Sequence, residues 1–102
     1  MKLEYAHSLE QADARNRLEA LGEYLTNRHK IAVTWNGDRA TFQGRFKRIV
    51  KIRGELSVAD GVVLFSGEDP GIAWRGQATK YIKKKLAAYL DPATPAEELK
   101  RA

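Results

Sequence analysis

Two short turn signals, Asn36-Gly37 and Asp60-Gly61, each sit between runs in which apolar and polar residues alternate. A dipeptide of this kind between alternating runs marks an antiparallel hairpin, because glycine takes the positive φ that a tight turn needs. Before the first signal, Ile31, Val33 and Trp35 alternate with Ala32 and Thr34. After it, Ala40, Phe42 and Phe46 alternate with Arg39, Thr41 and Arg45. Before the second, Val50, Ile52, Leu56 and Val58 alternate with Lys51, Arg53, Glu55 and Ser57, and VVLF follows it. Two hairpins are therefore expected, with a type I′ turn at Asn36-Gly37. The turn joining them is placed near Phe46 to Ile49, with a break at Gly44 as the alternative.

The flanks of this block read as one more strand and two helices. KLEYAH, residues 2 to 7, puts Leu3, Tyr5 and His7 on one face of a strand. Ser8 and Gln11 then make the pattern S-x-x-Q, a capping box in which hydroxyl and amide side chains each bond the other residue's backbone. Ala14, Leu18, Leu21 and Leu25 follow at helical spacing, predicting a helix to about Asn27, with Arg15, Arg17, Glu19 and Glu23 on a solvated side. After the loop SGEDPG, Trp74, Ala78, Ile82, Leu86, Tyr89 and Leu90 predict a second helix, ended by Asp91-Pro92. The order β-α-β-β-β-β-α predicts an α+β fold: a curved antiparallel sheet of about five strands with two helices on its apolar face. Residues 1–91 form the expected domain, and residues 92–102 a polar tail.

Composition narrows the function classes. At 102 residues the chain has room for one modest core. With no cysteine it has no thiolate nucleophile or thiolate metal site. The net charge of +5 favours anionic partners without choosing among nucleic acid, acidic lipid and acidic protein. The opening MKLEYAHS has no apolar run of the secretory kind, and no stretch approaches the roughly 20 apolar residues of a membrane span, so a cytoplasmic protein is expected.

No catalytic set emerges from the candidate residues. His7 is in phase with Leu3 and Tyr5 and stands at the start of a helix, so a structural role in the strand-to-helix corner outweighs binding or catalysis. His29 lies at a helix end between Arg28 and Lys30, and two separated histidines without a defined carboxylate spacing do not make a zinc site. Asp38 and Asp60 fall in turns, and no glycine pattern matches a nucleotide-binding loop, so no cofactor is expected. The basic residues stand out: Lys80, Lys83, Lys84 and Lys85 crowd the second helix, and Arg39, Arg45, Lys51 and Arg53 share the outer sheet face. Nucleic-acid binding is one reading of them. Against it, Trp35, Phe42 and Phe46 are in phase with the covered face and leave no exposed platform for bases. Trp74, at the end of the basic helix, is a candidate for touching a surface or partner. A third reading is a small apolar ligand held between sheet and helices, with Trp35 and Phe42 in its wall.

An ordered set of segments adds a family likeness: H-S-L before an Ala/Arg/Leu-rich helix, then WNGDRATF, then IRGELSVADGVVL, then I-x-x-x-L-x-x-Y-L. The set resembles the small polyhydroxyalkanoic acid system proteins, found in gene regions for polyester storage granules. The likeness covers about residues 1 to 90, through positions including His7, Ser8, Leu9, Ala14, Arg15, Trp35, Gly37, Asp38, Phe42, Gly54 and Val58. It implies a non-enzymatic protein at or near polyhydroxyalkanoate granules, with a granule surface or granule protein as partner. It carries no catalytic residues with it.

Overall fold

The computed structural model describes residues 1–46 and 50–102, with Phe46 described by its backbone alone. The strands are β1 (Lys2–Ala6), β2 (Ala32–Asn36), β3 (Arg39–Phe46), β4 (Val50–Ala59) and β5 (Val62–Gly67), and the helices are α1 (Gln11–His29) and α2 (Ile72–Tyr89). The expected α+β order is the observed one, and all four strand pairings are antiparallel, in the order β1-β5-β4-β3-β2. The β3–β4 ladder continues past Gly44↔Ile52 to Phe46↔Val50, which removes the break at Gly44. The inward placing expected for the Phe46 side chain, and the turn expected between Phe46 and Ile49, lie outside the described residues.

Because β1 and β2 occupy opposite edges, α1 must carry the chain across the whole sheet. Its 19 residues span about 28 Å, enough to cross four strand spacings of about 4.8 Å. Gly22 brings the helix close to the sheet: a Cβ there would lie 3.1 Å from Val33 Cγ1. Ala14, Leu18 and Leu21 of α1 meet Ala40, Phe42, Leu56, Val58 and Val63 of the sheet, and Leu86, Tyr89 and Leu90 complete the core. Each large apolar side chain buried here contributes about 1.5–3 kcal/mol.

Both hairpins form with two-residue loops, but the first differs from its expected type. Asn36 pairs with Arg39, so the loop is Gly37-Asp38, and only Gly37 (φ 61°) has positive φ. Glycine at the first loop position is the pattern of a type II′ turn, which matches strand twist as well as type I′ does.

The corner between β1 and α1 is built from the far hairpin rather than from its own sequence. The expected capping box is absent: Ser8 is exposed, the chain bends at Ser8 and Leu9, the N-cap is Glu10, and the Glu10 side chain does not bond the helix. Instead the Asp60 carboxylate accepts the Gln11 backbone N–H at 2.8 Å, and Gln11 Nε2 donates to the Val58 carbonyl at 3.0 Å. His7 is fastened to the same turn. Its N–H donates to Gly61 at 2.9 Å, and Nε2 lies 3.1 Å from the Ala59 carbonyl. His7 Nδ1 accepts the Leu9 N–H at 3.1 Å, which leaves the ring proton on Nε2 and makes Nε2 the donor to Ala59. The helix begins at Gln11 rather than just after Ser8, with His7 and Gln11 both bonded to this hairpin. At its other end α1 runs two residues beyond the expected stop at Asn27, to His29, and closes on Lys30 in the left-handed region (φ 60°).

Arg17, expected on a solvated side, is 5% exposed. Its Nε donates to Asp13 at 3.0 Å, and its Nη1 faces the carbonyls of Tyr89 (3.4 Å), Asp91 (2.9 Å) and Thr94 (2.8 Å). One guanidinium thus satisfies backbone acceptors at and beyond the C-terminus of α2, where a cation also suits the helix dipole. The residues that follow lie along α1. Tyr89 donates to the Lys100 carbonyl, Asn27 to the Arg101 carbonyl, Arg101 pairs with Glu23, and Ala96–Glu98 form one 3₁₀ turn.

Arg17→Met removes the donor shared by the Tyr89, Asp91 and Thr94 carbonyls and should cost about 3 kcal/mol, whereas His7→Ala, at a more open site, should cost about 1–2 kcal/mol. Urea denaturation of the two variants checks both magnitudes and their order.

Candidate functional site

α2 meets the core at one end only. Its buried residues are Leu86 and Tyr89 in the last turns, whereas Trp74, Ala78 and Ile82 are half-buried. The space under that half of the helix is an apolar cleft of about 310 Å³. Phe42, Leu56 and Phe65 form its floor on the sheet, Trp74 and Ile82 its roof on α2, and Leu25 part of its wall on α1. This volume lies in the range of small-molecule sites, and the lining is of the apolar kind such sites show.

One end of the cleft is polar. Lys85 lines it, with its ammonium 4.3 Å from the centre of the Tyr24 ring and 5.7 Å from that of Tyr81. Both distances suit a cation held over aromatic faces. The His29 ring stands edge-on to Tyr24 and to Tyr81, and the Tyr81 hydroxyl is 3.4 Å from His29 Nε2. Burial lowers the His29 pKa, and the charges of Arg28 and Lys85 lower it further, so the ring is neutral at pH 7. Burial pushes Tyr81 up to about 12, with help from the negative charges that Tyr24 and Tyr89 acquire on ionising. At this end the neutral His29 ring and the Tyr81 phenol thus stand beside the Lys85 ammonium.

The structure sorts the candidate residues into separate places. Phe42 and Trp74 line the cleft. Trp35 does not: the Arg15 guanidinium lies 4.6 Å over its ring while Arg15 Nε donates to the Gly37 carbonyl, so Trp35 belongs to the hairpin edge. Lys80, Lys83 and Lys84 are exposed, but Lys85 lies on the cleft side of α2. His7, Ser8 and Gln11 are at the β1–α1 corner described above, outside this cleft. Tyr24, His29 and Tyr81 were not picked out as site residues. The signal was present in the spacing 74, 78, 81, 85, a second stripe beside the core-facing one that makes Tyr81 and Lys85 neighbours of the cleft.

On the outer sheet face Arg39, Arg45, Lys51 and Arg53 are exposed as expected, but Arg39 pairs with Glu55 at 3.2 Å and Arg53 with Glu68 at 4.0 Å. Among the described residues no group of three or more His, Asp or Glu could hold a metal ion, and no helix is long and apolar enough to cross a membrane.

The Tyr81 shift has a pH consequence whose sign is fixed. In the unfolded chain the phenol ionises near 10, and in the fold near 12, so the fold prefers the neutral form. This contribution is complete below pH 10 and is lost as the pH rises through 12. Thermal melts from pH 9 to 12 should show that decline, and Tyr81→Phe should make it shallower.

A family model described as "Putative polyhydroxyalkanoic acid system protein" matches residues 1–93, which include the whole sheet and both helices. No curated protein and no solved structure matches the chain. The matched span holds the corner, the two hairpins and the cleft together, in the order that the sequence segments had shown. The chain belongs to the polyhydroxyalkanoic acid system protein family.

Proposed function

We propose that this protein is a non-catalytic, cytoplasmic binding protein of the polyhydroxyalkanoate granule system, and that it holds an apolar ligand between its sheet and α2. The cleft of about 310 Å³ under the free half of α2 carries this reading. A filled sheet–helix interface would have left the fold only its surface to work with.

The granule itself enters through a second observation. Ile72, at the free end of α2, is 88% exposed, and Lys80, Lys83 and Lys84 are exposed further along the same helix. An apolar tip followed by a basic side suits contact with a granule surface or a protein on it, in the manner of an adaptor. Nucleic-acid binding is the weaker reading, because Arg39 and Arg53 face carboxylates and Trp35 and Phe42 lie on the helix-covered side.

Nile red, a neutral apolar dye, should bind saturably at one site per chain with a rise in fluorescence. Ala78→Trp, which fills the cleft from α2, should abolish this while the far-ultraviolet dichroism of the fold remains. A dye signal that never saturates, or one that Ala78→Trp leaves intact, overturns the reading.

A further inference from the structure

The shape of the cleft and the half-buried lysine at one end restrict what it takes; Lys51, Arg53 and Glu68 also line it, but all three are exposed, and Arg53 faces Glu68 at 4.0 Å. Trp74 and Lys85 both line it and are eleven residues apart on α2. At 1.5 Å per residue they are about 16 Å apart along the helix axis, so the cleft is long rather than round. Between them the walls are mostly hydrocarbon, from Leu25, Ile52 and Ile82. Such walls reward a flexible aliphatic chain.

Lys85 differs from the other lysines of its helix. Lys80, Lys83 and Lys84 stand in water, whereas Lys85 is half-buried against two tyrosine rings. No carboxylate among the described residues pairs with it; the described ion pairs all use arginines. Glu23, next to Tyr24 in sequence, is engaged by Arg101. A half-buried ammonium at the end of an apolar channel has its aromatic contacts but lacks a counter-charge. The lowered pKa of His29, to which Arg28 and Lys85 both contribute, agrees with a positive potential at this end.

We propose that the cleft binds a linear aliphatic carboxylate, its chain lying along α2 from Trp74 and its head group received by the Lys85 ammonium. This rests on the ligand-binding reading given above and names the class of ligand. The carboxylate supplies the missing counter-charge, and the rings of Tyr24 and Tyr81 keep the ammonium in place when the cleft is empty. A cationic amphiphile of the same length is excluded by like charge, and a neutral one forgoes the ion pair.

The test is displacement of Nile red by octanoate, decanoate and dodecanoate, each below its micelle concentration, with 1-decanol and decyltrimethylammonium for comparison. Affinity should rise roughly three- to fourfold per added methylene. Decanoate should bind about tenfold or more tightly than 1-decanol, and decyltrimethylammonium should bind worst. Lys85→Gln should collapse the decanoate-to-decanol ratio, and Lys84→Gln, at an exposed position, should leave it unchanged. If dye binds saturably but decanoate and decanol displace it equally, the carboxylate assignment falls and the binding reading stands. If neither dye nor carboxylate binds, both fall. Self-association that hides the cleft, seen as a dimer by light scattering that decanoate does not alter, also overturns the assignment.

Discussion

The buried guanidinium of Arg17 decides where α2 can go. A charged group at 5% exposure is tolerated because its donors meet the Asp13 carboxylate and the carbonyls of Tyr89, Asp91 and Thr94. The Tyr89 carbonyl is one a helix end leaves unsatisfied, and the other two follow directly after the helix, so the C-terminus of α2 is fixed against the first half of α1. Everything beyond that anchor follows. Leu86, Tyr89 and Leu90 are drawn into the core, while the first turns of α2 pass over the sheet without closing on it. The cleft is the space this one-ended attachment leaves.

The sheet provides the second fixed reference. Its meander of β2 to β5 is local in sequence, and β1 is added at the edge beside β5. The hairpin turn at 58–61 then serves two elements at once: it ends the β4–β5 ladder and supplies the acceptors that start α1. Asp60 does for α1 what a neighbouring side chain usually does, but from 49 residues away. The β1–α1 corner is consequently a tertiary contact, and its position relative to the sheet is set with the sheet.

Much of this was legible in the sequence, for physical reasons that also explain what was not. Strand periodicity and the Gly37 and Gly61 turns are local properties, so element order and the covered face could be read directly. Ser8 and Gln11 matched a local cap, but local patterns cannot register that Asp60 outcompetes them. Arg17 looked solvated because it is charged, although it stands three residues after Ala14 and four before Leu21, at the border of the apolar stripe; the chain beyond α2 covers that side. Trp35 and Phe42 share a phase along the strands, yet only Phe42 reaches the cleft, because Arg15 covers Trp35. Lys85 was read as one of four equivalent lysines, and only the position of α2 over Tyr24 separates it from the others.

The one-ended attachment of α2 also separates two demands that most small domains must meet with the same residues. Core side chains on Leu86 and Tyr89 answer for folding, while Trp74, Ala78 and Ile82, half-buried over the cleft, face whatever enters it. Substitutions in the first turns of α2 can therefore reshape the site without touching the sheet ladders or the Arg17 anchor. The fold is in this sense a cassette, in which the residues over the cleft can change while the frame that carries them stays the same.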